Sequence, residues 1–346
     1  MKLSGQIAAA ILLATTLTVT SNLAWAGPKY KALRFDQLIG WSNDDHKAAL
    51  TVFANSCEDI SASEWKPICS AAATQPHART FFETFFTPIL VRPDATALFT
   101  GYFEPVLNGS LYKVGPYQYP VYRKPENLTP ADPGLTREAI DNGALKYKGL
   151  EIAYVDDPVE LYYLQIQGSG RINLTNGNVV RVGYAGENGH VNRSAAAELI
   201  RIGELTPDQA TIEGVQKWFR ENPLKGPKAL QFNASYVFFR DIEHLSSNSG
   251  PLGALERPLT ALRSIAVDPR YNQLGAPVWI EKGGKLKIQR LMIAQDVGAA
   301  IKGPQRADIF FGTGTLAGKL AGKIKDPGRM VLLLPNAIAL RLAPEG

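Results

Sequence analysis

From Ala97 onward the chain consists of short β-forming runs cut by turn residues, and this texture restricts the fold more than any other feature. The runs are ALFTGYFEPVL, YQYPVYRK, LYYLQIQG and NVVRVGY, then SYVFF, RSIAV, APVWIE, LKIQRLMIAQD, ADIFFG and MVLLLP. Branched and aromatic side chains suit a pleated, half-buried surface, and glycine, proline and asparagine close the runs. Many short strands punctuated in this way predict a mainly β chain, folded as a barrel or a sandwich. Tyr162, Leu164 and Ile166 alternate with Tyr163, Gln165 and Gln167, the period of a strand with two faces. Helices are predicted from Ser194 to Ile202 and from a capping box at Thr206-Pro207-Asp208-Gln209, whose run sets Ile212, Val215, Trp218 and Phe219 on one side. Before Thr87 the chain reads as helical. Asp44 and Asp45 precede HKAALTVFANSC, Ser61 opens a second run, and Pro76 begins PHARTFFETFF at a position suited to a first helical turn.

Residues 1–26 have the pattern of a signal peptide. Lys2 gives the positive start, Ile7 to Val19 the apolar stretch, and Ala24-Trp25-Ala26 a small-x-small site before Gly27. A membrane anchor is the competing reading, but Thr15, Thr16 and Thr18 interrupt the stretch, which falls short of the ~20 residues a span requires. The expectation is a cleaved chain outside the cytoplasm with no transmembrane span. Cys57 and Cys69 are its two cysteines; in an oxidising compartment such a pair usually forms a disulfide. With no histidine nearby they fall short of a zinc set, and no histidine pair stands at ligand spacing, so neither metal nor cofactor is expected. The formal charge of +5 is dispersed. Without a Lys/Arg cluster it argues against nucleic acid and is compatible with an anionic polymer.

Three aspartates end apolar runs: Asp268 in RSIAVDPR, and Asp296 and Asp308 in LMIAQDVGAAIKGPQRADIF. On the residues alone, turn aspartates bonding their own backbone are the common explanation. The surrounding motifs change the balance. GYFEPV (Gly101 to Val106), YYLQIQGSG (Tyr162 to Gly170), YAGENGH (Tyr184 to His190) and NASYVFFR (Asn233 to Arg240) stand in one order before the aspartates. Together they resemble the MltA family of lytic murein transglycosylases, with its C-terminal three-aspartate domain.

The resemblance implies a double-psi β-barrel of residues 27–104 plus 240–346, with residues 105–239 inserted as a second β-rich domain and a groove between the two. It implies cleavage of peptidoglycan between N-acetylmuramic acid and N-acetylglucosamine, in the periplasm, with glycan strands and cell-wall synthases as partners. Many family members carry a lipid on a cysteine just after the signal; this chain has none there, so no lipid anchor is expected. Asp308, in RADIF, matches the catalytic aspartate and would act as acid and then base. At an ordinary pKa near 3.9 only about one aspartate in a thousand is protonated at pH 7, so the task needs a raised pKa. Burial beside Ile309, Phe310 and Phe311, or negative charge from Asp296 and Asp268, can supply it.

Asp296 has three open roles: tuning Asp308, binding sugar, or ordering the loop Val297 to Gly303. Asp268, followed by Pro269, reads as structural support. Tyr102 is expected to contact sugar, with core packing as the alternative. Gln165, Gln167 and Ser169 are expected, through the family motif, to bind sugar hydroxyls and N-acetyl groups along one strand and its turn, with the solvent face of an edge strand as the alternative. Glu104 departs from the family's small polar residue, which weakens a catalytic role. His190 reads as a loop hydrogen-bonder, Gly168 to Gly170 lack the pattern of a phosphate loop, and no serine is framed as a nucleophile. The competing functions are a two-carboxylate glycoside hydrolase and a non-catalytic wall-binding protein.

Overall fold

The computed structural model describes residues 29–128 and 133–344. The expected signal peptide, residues 1–26, lies outside them. The chain builds β1 (Tyr30–Ala32), β2 (Phe86–Val91) and β3 (Ala97–Glu104), then a second sheet from β4 (Val106–Ser110), β5 (Tyr119–Tyr122), β6 (Glu151–Val155), β7 (Ser169–Leu174), β8 (Val179–Glu187) and β9 (Val237–Asp241). It then returns to the first sheet with β10 (Ser264–Val267), β11 (Pro277–Lys282), β12 (Ile288–Val297), β13 (Arg306–Thr313) and β14 (Lys325–Pro335).

The first sheet runs β1-β2-β14-β11-β12-β10-β13-β3, and β14 also pairs with β3. That pairing closes six strands into a barrel, with β3–β13 and β10–β12 parallel. Closure removes the barrel's free edges. Phe99, Ile265, Val278, Met292, Ala294 and Ile309, none with solvent exposure, fill its core. The mainly β class with a closed barrel and a second β-rich unit is as expected.

The N-terminal helices α1 (His46–Cys57), α2 (Lys66–Ala72) and α3 (Ala78–Phe85) pack on the barrel through Phe53, Trp65, Phe81 and Phe82. Asp45 caps α1 by accepting the Ala48 N–H. Cys57 and Cys69 form a disulfide with Cα atoms 5.4 Å apart, closing α1 on α2. The cross-link restricts the unfolded chain, so Cys57→Ala/Cys69→Ala is expected to lower the unfolding free energy by about 3 kcal/mol. Urea titration of the two proteins measures it; a change near zero would mean that the helix packing alone holds this corner.

α4 (Arg137–Asp141), α5 (Pro158–Gln167), α6 (Ala195–Arg201), α7 (Ile212–Glu221) and α8 (Gly226–Gln231) accompany the second sheet, and α9 (Thr315–Ala321) and α10 (Asn336–Leu342) the barrel. Two expectations need correction here. Tyr162 to Gln167 belong to helix α5 and not to a strand. Asp157 caps it by accepting the Val159 and Glu160 N–H groups, Pro158 occupies its first turn, and Gly168 ends it at φ 80°. Leu161 and Leu164 face the second sheet while Val159 and Tyr162 face α6, α7 and α8. Burial on two sides erases the polar face that would have shown the helical period.

The capping box at Thr206 to Gln209 closes only a turn, in which Gln209 accepts the Thr206 N–H. α7 starts later, with Thr211 accepting the Gly214 N–H. Among the described residues no helix is long and apolar enough to cross a membrane.

Candidate active site

β10 lies between β12 and β13, and Ala266 of β10 stands opposite both Asp296 and Asp308. The two aspartates therefore flank one strand, and two strand spacings put their Cα atoms about 10 Å apart. β3 completes the row, with Thr100 opposite Asp308 and Tyr102 opposite Phe310. Side chains directly opposite each other share a face. Here the shared face is the outside of the barrel, where Tyr102, Ala266 and Phe310 form a separate apolar cluster with Leu259 and Ile301. Gly101 lets β3 lie this close to its cover: a Cβ there would meet the Ala321 Cα at 2.8 Å.

Asp308 is half-buried and held from one side. The Thr100 hydroxyl donates to its Oδ1 at 2.6 Å and itself accepts from Arg306 Nη2 at 2.8 Å. Among the described residues Oδ2 has no hydrogen-bond partner. Burial raises the carboxyl above its ordinary value; the Thr100 bond and the Arg306 charge oppose the rise. Of the two causes foreseen for Asp308, burial is the one that leads its rise, and the like charge acts between Asp308 and Asp296, whose carboxyl it pushes up.

Asp296 differs in having both carboxylate oxygens engaged. Tyr102 Oη donates to Oδ2 at 2.9 Å, and the N–H groups of Ala254 and Val297 donate to Oδ1 at 3.1 and 2.9 Å. Burial nevertheless pushes this carboxyl up to about 6. Asp268 is 1% exposed. It accepts from Arg270 and from the Gly303 N–H at 2.7 Å, and the Arg270 guanidinium holds it well below the usual range. It thereby pins the loop leading from Asp296 to Asp308.

Beside this face a cleft of about 530 Å³ separates the barrel from the second sheet, lined by Asp296, Gly253 and Ala254 on one wall and by Gln165, Gln167 and Ser169 on the other. Asp308 stands beyond Asp296, across β10. The three polar residues expected to contact sugar thus share one wall, brought there by a helix end and the strand after it. Gln167 has its Oε1 engaged by the Phe103 N–H at 3.0 Å.

Tyr102 is placed otherwise than expected. Its ring is 9% exposed and packs on Phe310 with centroids 5.3 Å apart, and its hydroxyl serves Asp296. It supports the carboxylate from beneath and offers no open face for stacking.

Glu104 is 1% exposed and tied to Arg171 Nε and Arg181 Nη2, each at 2.9 Å, and to the Thr313 hydroxyl at 2.6 Å. The two arginines also donate to the carbonyls of Ser246, Ser247 and Ser249. The residue that departs from the family pattern is thus a clamp between barrel and second sheet. His190 Nε2 lies 2.8 Å from the Gly134 carbonyl, a loop contact. Among the described residues no cluster of histidine, cysteine, aspartate or glutamate has the makings of a metal site. Sequence reasoning missed Thr100 and Arg306, whose roles depend on the β3–β13 register.

The arrangement defines a class: a closed β-barrel carrying a second β-rich unit, with a carboxylate site on the barrel's outer face beside the cleft between them. Family models place the chain within that class, the MltA specific insert domain matching residues 98–240 and the 3D domain residues 263–334. The crystal structure of MltA from Neisseria gonorrhoeae superposes with a TM-score of 0.80 at 31% identity, over 91% of this chain and 94% of that one. Escherichia coli MltA with bound chitohexaose gives 0.73 at 25% identity, over 88% and 94%. The membrane-bound lytic murein transglycosylase A of Escherichia coli K12 is 34% identical over 245 residues, 68% of this chain. That aligned stretch is 65% of the curated relative's length. The chain belongs to the MltA family.

Proposed function

We propose that this protein is a peptidoglycan lytic transglycosylase that cuts the β-1,4 bond between N-acetylmuramic acid and N-acetylglucosamine without consuming water. The observation that carries the reading is the contrast between the two carboxylates: Asp308 keeps one oxygen free and Asp296 keeps none. The protonated Asp308 gives its proton to the glycosidic oxygen as the C1–O bond breaks. The C6 hydroxyl of the muramic acid then attacks C1, and its proton passes to the Asp308 carboxylate. A 1,6-anhydro ring forms and the acid is restored. An intramolecular hydroxyl held beside the reacting carbon has an effective molarity of ~10⁵ M or more, which favours it over water.

Asp296 orders Tyr102 and the loop at Ala254. Gln165, Gln167 and Ser169 hold the glycan in the cleft, and the site works without metal or cofactor. Residues 27–104 plus 240–346 form the catalytic barrel domain and 105–239 the inserted domain, a division supported by the membership of the two sheets. The protein works in the periplasm, exported by residues 1–26.

The test is digestion of purified peptidoglycan in heavy-oxygen water with mass analysis of the products. Unlabelled muropeptides ending in 1,6-anhydromuramic acid, one water lighter than hydrolysis products, are expected. A second reading has its own observation: Asp296 stands across one strand from Asp308, where a two-carboxylate hydrolase would place its second carboxylate. Labelled fragments with reducing ends would establish that reading. Sedimentation on peptidoglycan without any cleavage would establish a wall-binding protein.

A further inference from the structure

We infer that two loops at the far end of the second sheet form a docking surface for a lipid bilayer with anionic headgroups, in which Tyr112 and Tyr147 enter the interface and Lys113, Lys146 and Lys148 meet the phosphates. The surface needs no lipid on the chain and no spanning helix, and it is independent of the chemistry at Asp308.

β4 and β6 are antiparallel, with Ser110 opposite Tyr154, so the loop after β4 and the loop before β6 leave the sheet at one end. β4 follows β3 after Pro105 alone, at the barrel. The loops therefore lie at the end remote from the barrel, and none of their residues lines the cleft beside Asp296. The first loop exposes Leu111, Val114 and, at 76%, Tyr112; the second exposes Tyr147 at 88%. A Cβ added at Gly115 or Gly149 would meet no atom within 4 Å beyond its chain neighbours, so both loops project into solvent. Tyr147 stands at φ 64°, a backbone region that bulky residues rarely adopt, yet its ring packs on no core.

The same loops carry the positive charge. The Lys146 ammonium lies 4.7 Å from the centroid of the Tyr147 ring, and Lys146 together with Lys113 holds the Tyr147 hydroxyl below its ordinary value, so both loops meet at this ring. Lys148 is one residue further on and exposed. None of the three lysines is in an ion pair among the described residues. Tyrosine rings settle at headgroup level, with the apolar body inward and the hydroxyl outward. Lysine lays its apolar stem along the interface and keeps its ammonium in water. Each lysine near an anionic leaflet tightens binding several-fold. An anionic wall polymer would use the lysines alone and leave Leu111 and Val114 facing water; a bilayer uses both sets. Docked in this way, the second sheet stands between membrane and barrel, and the cleft stays open to the wall.

The test is flotation of the purified chain with vesicles, residues 1–26 being removed because their apolar run would bind lipid by itself. Phosphatidylcholine vesicles are compared with vesicles containing about 30% phosphatidylglycerol. Wild type is expected to bind the anionic vesicles at least about tenfold more tightly, and to release them at about 0.5 M salt. Lys113→Gln/Lys146→Gln/Lys148→Gln and Tyr112→Ser/Tyr147→Ser are each expected to weaken that binding about tenfold or more and to cleave purified peptidoglycan as wild type does. Tyr147→Trp should be quenched by brominated lipid in the anionic vesicles only. Failure of wild type to float, equal binding to both vesicles, wild-type affinity in either variant, or flotation without quenching would each overturn the surface. Wild type that ignores vesicles, with peptidoglycan sedimentation lost in the lysine variant, would overturn it in favour of stem-peptide carboxylates.

Discussion

Asp308→Asn is expected to slow glycan cleavage by at least about 10³-fold while leaving the thermal unfolding midpoint equal or higher. The two halves of this result share one cause. Burial raises the Asp308 carboxyl above its ordinary value, so the folded state binds a proton that the unfolded state has already released. Between the ordinary and the raised value, folding stability therefore falls as pH rises, and above the raised value the full cost of the buried charge is present. Asparagine removes that cost and keeps an oxygen for the Thr100 hydroxyl, but it has no proton to deliver to the leaving oxygen. Wild-type cleavage should likewise decline as pH climbs past the raised value, since only the protonated form begins the reaction. Initial rates on peptidoglycan and calorimetric melting at pH 5 and pH 8 measure both. A variant that melts far below wild type would show that Asp308 is a structural turn residue, and retained cleavage would remove it from the chemistry.

The second large effect is expected at Glu104. Glu104→Leu should destabilise the fold by about 3–5 kcal/mol, because it leaves two guanidinium groups without their carboxylate. Arg171 is 17% and Arg181 8% exposed at the side chain, against 1% for Glu104, so solvent supplies little compensation. The double variant Glu104→Leu/Arg181→Leu should recover part of the loss, since it removes one stranded charge along with its partner. Denaturant unfolding of wild type, Glu104→Leu, Arg181→Leu and the double variant gives the coupling. A loss below about 1 kcal/mol would place the clamp with ordinary surface ion pairs. Cleavage should fall too, because the same arginines hold the Ser246, Ser247 and Ser249 carbonyls between the two sheets.

How far these features could be read from the sequence depends on the range of the interaction behind them. The cap of α1 at Asp45 and most strand runs were legible, since they depend on neighbouring residues. α5 was not, although Asp157, Pro158 and Gly168 marked its ends. Its central residues are buried against the sheet on one side and helices on the other, and a two-sided helix can imitate alternation. Asp308 was legible only through its motif, because a carboxylate at a strand end looks the same whether it serves a turn or a substrate. Thr100, Arg306 and the Glu104 clamp depend on register and tertiary contact. No local pattern announces them.

The bond from Thr100 to Asp308 joins residues 208 positions apart, and β14 must also pair with β3 before the barrel is closed. Chain entropy delays such long-range pairing until late in folding. Almost the whole polypeptide must therefore emerge and assemble before the acid acquires its buried setting. A chain cut short before β13 has the Gln165 wall of the cleft but no strand bearing Asp308. On the proposed function the enzyme is thus inert until its last strands join, with the order of its strands serving as the safety catch.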